Sequence, residues 1–268
     1  MGTTVTIQVI RAGREAEEAI SRAFGWFHAI EDRCTRFREE SELVRLTSQT
    51  GIPVAVSTIL YEAVRFAVMV AEESHGAFDP TAVHPRRHDS SYRDIVFDPD
   101  RRTITLRRPL MLDLGAVAKG LAVDTAAREL EPFTDFAIDA GGDLYLGGSN
   151  QQGAPWSVGI RHPRREHELI ASLSASNQAV CTSGDYERRT PDGSGHHILD
   201  PRTGASADRV ASATVVASGA MLADALATAA FVLGPQEGIE FLNRLGVEGL
   251  LVTPELERFE TGGLRHAA

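Results

Sequence analysis

Apolar residues at Ala16, Ala19, Ile20, Ala23, Phe27, Ile30, Cys34 and Phe37 recur three or four positions apart, which predicts one long amphipathic helix with this stripe in the core. Acidic residues in its first turn suit the positive end of a helix. A second helix is predicted to start at Ser57 as N-cap, to carry Leu60, Val64, Ala67 and Ala71 inward, and to stop at His75 and Gly76. Ahead of both, Val5, Ile7 and Val9 alternate with polar residues as a half-buried strand does. RDIVFD and RTITLR flank Asp98, Pro99 and Asp100 and predict a hairpin. MLDL then leads into DLGAVAKGLAVD, residues 113–124, which predicts a glycine-bracketed turn ahead of an apolar helix.

Downstream, DFAID, GGD, LYLGG, WSVGIR, LIASLS and AVCTSG predict short strands broken by glycine turns, an antiparallel pattern rather than regular βαβ winding. A strand over Ala213–Ala217 precedes a helix over Ala220–Leu233. Pro235 opens another helix ending near Gly246, and LLV closes as a strand. No repeat or linker-like tract divides the chain, so the expectation is a single α+β domain over residues 1–268, with mostly antiparallel sheets and packed helices.

Charge narrows the partners. With 27 basic and 37 acidic residues the net charge is −10, which argues against nucleic acid or an anionic membrane as the main partner. No apolar run is long enough to span a bilayer, and the start, MGTTVTIQVI, is not a secretory signal. The expected location is cytoplasmic unless a leader has been removed. Cys34 and Cys181 stand in no metal or redox spacing and are expected as core thiols.

Several segments could carry chemistry. Glycine turns feeding a helix favour anions, so phosphate is the first candidate ligand at residues 113–124, although Lys119, the only lysine in the chain, precedes Gly120 where the standard phosphate loop has it following. In MLADALATAAFVLG, Asp224 and Thr228 are four apart on an otherwise apolar helix. A carboxylate there needs a cation or a hydrogen-bond cluster; oxygen donors suit Mg²⁺, while capping of a neighbouring loop is the structural alternative. In HHILDPRTG, His196 and His197 are adjacent, so at most one can face a site if the segment is extended. GAFDPT places Phe78 as a core plug or a contact, and Asp79 as a turn former or a ligand contact. The glycines of AGGDLYLGG fit a bulge or a close approach to a ligand. The arginine-rich stretches around Arg86 and Arg164 are expected as solvated loop charges, and no role is assigned to the remaining histidines.

Taken in order, MGTTVTI, TRFREESELVRL, GAFDPT, LDLGAVAKGLAVD, AIDAGGDLY, CTSGDYER, HHILDPRTG and ADALATAAFVLG resemble the ApbE family of FAD:protein FMN transferases. The resemblance implies a fold related to the T-fold and transfer of FMN from FAD, through a phosphoester, to a Thr or Ser of an acceptor protein, with release of AMP. FAD pyrophosphatase activity and non-catalytic FAD binding are the alternatives. It further implies Mg²⁺ held by the Ala118 carbonyl, Asp224 and Thr228, and a loop from Gly115 to Gly120 bordering the FAD diphosphate. Contacts to FAD would come from Met1, Phe37, Ala77, Phe78, Asp79, Gly115 and Leu121, and His197 would be the catalytic base.

Two positions depart from the family pattern. Thr47 stands where asparagine is common, a position associated with the choice between hydrolysis and simple binding, and Leu121 replaces a frequent tyrosine. The acceptor pattern implied by the family is an acidic residue, two variable positions, Thr or Ser, a small residue, Ala, then Thr or Ser. DRVASAT, residues 208–214, comes close but has Ala211 at the modified position, so no self-flavinylation is expected.

Overall fold

The amino-terminal alternation forms β1 (Val5–Val9), with Val5, Ile7 and Val9 half-buried and Thr6 and Gln8 exposed. The computed structural model describes residues 2–10, 13–82, 90–187 and 195–267. β1 borders a seven-stranded antiparallel sheet that continues through β5 (Phe136–Ala140), β6 (Asp143–Gly147), β9 (Gln178–Gly184), β10 (Ser212–Ala217), β11 (Glu248–Val252) and β12 (Arg258–Glu260).

Side chains of a strand alternate between faces, so the central strands feed two cores. Ala179, Cys181, Ala213, Val215 and Leu251 join the larger core, shared with helices α1 (Arg14–Cys34), α3 (Thr58–Glu73), α4 (Gly115–Leu130), α5 (Ala220–Leu233) and α6 (Pro235–Leu245). Val180, Val216, Leu250 and Val252 join the smaller one, closed by a separate hairpin of β7 (Trp156–Arg161) and β8 (Leu169–Ala175). A three-stranded sheet, β2 (Val54–Ala55), β4 (Thr103–Leu106) and β3 (Ile95–Asp98), the short α2 (Glu42–Thr47) and two 3-10 turns, Tyr92–Asp94 and Glu131–Phe133, complete the chain's regular elements among the described residues. This is the expected α+β arrangement. The Ser57 cap is present, with its hydroxyl accepting from Leu60 N at 3.3 Å.

Two expectations are corrected. Phe37 does not extend the core stripe of α1: the helix stops at Cys34 because Thr35 turns to extended backbone (φ −76°, ψ 137°), and Phe37 is 80% exposed. Gly115–Gly120 is not a loop either. It forms the opening turns of α4, so the anion-favouring geometry belongs to a helix start rather than to a turn before it.

The α4–α5 joint places the site. A Cβ on Gly120 would lie 2.5 Å from the backbone of Ala220 and Met221, so only glycine lets the helices approach this closely. One turn later, the Asp124 carboxylate accepts from Ala220 N at 2.6 Å and Met221 N at 3.0 Å. It thereby caps α5, whose own N-cap residue, Gly219, has no side chain to do so.

Candidate active site

A cleft of about 630 Å³ opens where the start of α4, the segment Ala77–Ala82, the β5–β6 turn, the end of β9, the wall of β7 and the segment from His197 to Pro201 converge. That volume is within the range of small-molecule sites. Its charged floor is built from three distant segments. Lys119 projects from α4 and pairs with Asp143, and its Nζ lies 3.5 Å from Asp224 Oδ2 on α5. Asp143 is aimed by a two-residue hairpin: Gly141 and Gly142, at φ 66° and 96°, connect the paired residues Ala140 and Asp143 in a turn that needs positive φ at both centres.

Asp143 and Asp224 are 1% and 6% exposed. Two buried carboxylates facing one ammonium leave the floor one positive charge short. Asp224 Oδ2, moreover, has no hydrogen-bond partner among the described residues. The ammonium that reaches it at 3.5 Å is shared with Asp143, and a buried carboxylate oxygen compensated only in part is costly. One turn further along α5, Thr228 Oγ1 shares a 3.1 Å hydrogen bond with Ser183 Oγ at the end of β9. Carboxylate and hydroxyl oxygens, open to a cleft, form a donor set that fits a hard divalent cation such as Mg²⁺.

Around this floor, Asp79 Oδ1 accepts from Thr81 N at 2.8 Å and Thr81 Oγ1 at 2.7 Å, fixing the turn that carries Ala77 and Phe78 against the cleft. Burial pushes the Asp79 carboxyl above its ordinary value, against these hydrogen bonds. At the start of α4, Gly115 N donates to Asp113 Oδ1 at 2.8 Å while Asp113 Oδ2 accepts from Arg36 Nε at 2.9 Å. The two histidines separate as their adjacency requires. His196 is buried, with Nε2 2.8 Å from the Ala207 carbonyl and its ring edge-on to Phe231, whereas His197 is exposed and lines the cleft.

Of the residues singled out in the sequence, Ala77, Phe78, Asp79, Gly115, His197, Asp224 and Thr228 converge on the cleft. Three do not line it. Ala118 is buried on α4 next to Lys119, Leu121 packs against the larger core, and Phe37 lies outside, with the Arg36 guanidinium 4.3 Å from its ring centroid. Met1, Arg86, His84 and His88 fall outside the described residues. Thr47 sits on α2, its hydroxyl donating to the Val44 carbonyl at 3.2 Å, away from the cleft lining. Sequence reasoning missed that Lys119 and Asp143 pair at the floor of the cleft. The signals were a lone lysine and an acid directly after two glycines.

The ApbE family model matches residues 1–87 and 82–251. The chain belongs to the ApbE family. Among curated ApbE relatives, an FAD:protein FMN transferase of Treponema pallidum is 31% identical over 95% of this chain and 83% of its own length. A Vibrio cholerae FAD:protein FMN transferase is 30% identical over 89% and 81%. Of the solved structures, the ApbE protein of Thermotoga maritima superposes with a TM-score of 0.88 at 28% identity, covering 97% of this chain and 94% of that one. The flavin transferase ApbE of Vibrio cholerae gives 0.87 at 25% identity, covering 98% and 94%. These ApbE structures share the α+β architecture described above. No helix among the described residues is long and apolar enough to cross a membrane.

Proposed function

We infer that this chain is an FAD:protein FMN transferase, moving FMN from FAD to a Thr or Ser hydroxyl of an acceptor protein and releasing AMP. The observation that carries the reading at the site is the buried Asp224 carboxylate oxygen, which makes no hydrogen bond among the described residues and shares the Lys119 ammonium with Asp143, within a cleft large enough for a dinucleotide's reacting portion and in a chain of this family.

In the proposed mechanism, the amino-terminal turn of α4 and Lys119 bind and orient the diphosphate, the helix by its dipole and amides and the lysine by its charge. Asp224 and Thr228, with the Ala118 carbonyl, would hold Mg²⁺, which supplies Lewis-acid neutralisation of the diphosphate when bound. Ala77 and Phe78 wall the cleft and exclude water from it. Phe37, tethered near the mouth through Arg36 and Asp113, offers an exposed aromatic face to the flavin ring. His197 takes the proton from the acceptor hydroxyl as its oxygen bonds to the FMN phosphorus; the bond from that phosphorus to the bridging oxygen breaks, and AMP leaves with the electron pair.

The acceptor is a separate protein. Ala211 has no hydroxyl and is fully buried, and the neighbouring Ser212 is 1% exposed. Asp224→Ala tests the reading: with FAD, Mg²⁺ and an acceptor peptide, the wild type adds the mass of FMN to the peptide and the variant does not. Equal labelling by both would overturn it.

A further inference from the structure

Among the described residues, the β7–β8 hairpin has one closed edge and one open edge. On the closed side, Ser174 N donates to the Arg265 carbonyl at 2.9 Å and Ala267 N donates to the Ser172 carbonyl at 2.8 Å. Those groups of β8 therefore point away from β7, which makes Ser157–Ser174 and Gly159–Ser172 the non-hydrogen-bonded pairs of the ladder. It follows that the N–H and C=O groups of Ser157 and Gly159 point out of the hairpin on the far side of β7. No hydrogen bond to them is present there among the described residues.

That open edge borders the cleft. Val158 and Ile160 face the smaller core, Gly159 and Arg161 face the opposite way, and all four line the same cavity, as consecutive residues do when a strand presents its edge. An edge of unpaired backbone groups is a template for another strand. Alternating N–H donors and C=O acceptors match a peptide; a diphosphate offers acceptors alone. Beyond the edge, Arg161 pairs with Glu187 at the cleft while its side chain stays 64% exposed, a cation in reach of an acidic residue on an incoming chain.

We propose that the acceptor protein docks as an extended segment added to the open edge of β7, so that its Thr or Ser hydroxyl enters the cleft beside His197 and its acidic residue meets Arg161. The proposal rests on the transferase reading. It differs from that reading in naming the surface, and a folded epitope or a loop held only by side chains is the competing outcome.

The probe is a synthetic peptide of the pattern acidic-x-x-Thr-small-Ala-Thr, N-methylated at one position at a time and assayed with wild-type enzyme, FAD and Mg²⁺. The expected result is a period of two: methylation at alternate positions raises KM for the peptide at least tenfold, and the intervening positions change it less than threefold. A scan without this alternation overturns the docking mode while the transferase reading stands. An unmodified peptide that gains no flavin overturns both. A second measurement is independent of turnover. The Ser157 and Gly159 amides should exchange rapidly in the FAD-bound enzyme and be protected at least tenfold by saturating peptide; exchange unchanged at both, with protection elsewhere, overturns the proposal. Ser157→Pro removes an outward N–H that the β8 ladder does not use, so KM for the peptide should rise at least tenfold with FAD affinity within twofold of wild type. An unchanged KM also overturns it.

Discussion

Lys119 Nζ stands 3.5 Å from Asp224 Oδ2, bringing an ammonium on α4 to a buried carboxylate on α5 at the floor of the cleft. The pair is incomplete, since Lys119 is shared with Asp143, and this shortfall is what makes the floor receptive to a cation and a diphosphate together. Lys119→Met should lower kcat by about 10²–10³-fold, the loss typical of one donor to a developing oxyanion. FAD affinity, measured by fluorescence quenching, should weaken far less. A variant with unchanged kcat would remove Lys119 from the mechanism.

His197 and His196 should part in their phenotypes. His197→Ala is expected to fold with the stability of wild type and to lose about 10²–10⁴-fold in kcat. His196→Ala deletes a buried ring bonded to the Ala207 carbonyl and packed on Phe231, so it should cost about 2–4 kcal/mol in denaturant unfolding. If the stability loss falls on His197 instead, the assignment is reversed.

The α4–α5 joint predicts a packing defect with a catalytic consequence. Gly120→Ala sets a methyl 2.5 Å from the Ala220 backbone, which cannot yield as a side-chain tip would. About 1–3 kcal/mol should be lost in chemical denaturation, and transfer should fall as Lys119 and Asp224 are displaced. Wild-type stability and activity in this variant would contradict the joint's role.

Asp124 adds a pH dependence. Burial, the largest influence, pushes its carboxyl above the ordinary value despite the bonds from Met221 and Ala220 amides. The folded chain thus keeps this proton to a higher pH than the unfolded chain. The stability linked to it is fully present below the unfolded value of about 3.9 and is lost as pH rises through the folded value. Unfolding free energies measured between about pH 4 and pH 7 should show this downward contribution in wild type and lack it in Asp124→Asn. Parallel profiles would contradict it.

The two thiols should be silent in the native protein. Burial pushes Cys34 up to about 12 and Cys181 well above its ordinary value. A thiol reagent at pH 8 should find neither until denaturant is added, and then both. Native labelling of either would show that its core opens.

Strong local periods made most elements legible in the sequence. Ser57 and Pro235 mark helix starts that the structure keeps, and the alternation at Val5, Ile7 and Val9 gives a strand on its expected face. The limits were those of local information. Phe37 continued the apolar spacing of α1, yet a backbone turn at Thr35 ended the helix before it. Asp224 and Thr228 were readable as one helix face, and the adjacency of His196 and His197 as a division of labour. The surroundings of Asp224 were not: the α4–α5 approach at Gly120 brings Lys119 to it, and the turn at Gly141 and Gly142 brings Asp143 to that same lysine. Such convergence leaves no period in the chain.

The most direct measurement is a single incubation with FAD, Mg²⁺ and an acceptor peptide, in which AMP and peptide-bound flavin are quantified together. The account predicts that the two rise in equal amounts, and that both require the peptide and Asp224. Free FMN with AMP in the absence of peptide, or intact FAD that stays bound, would contradict it.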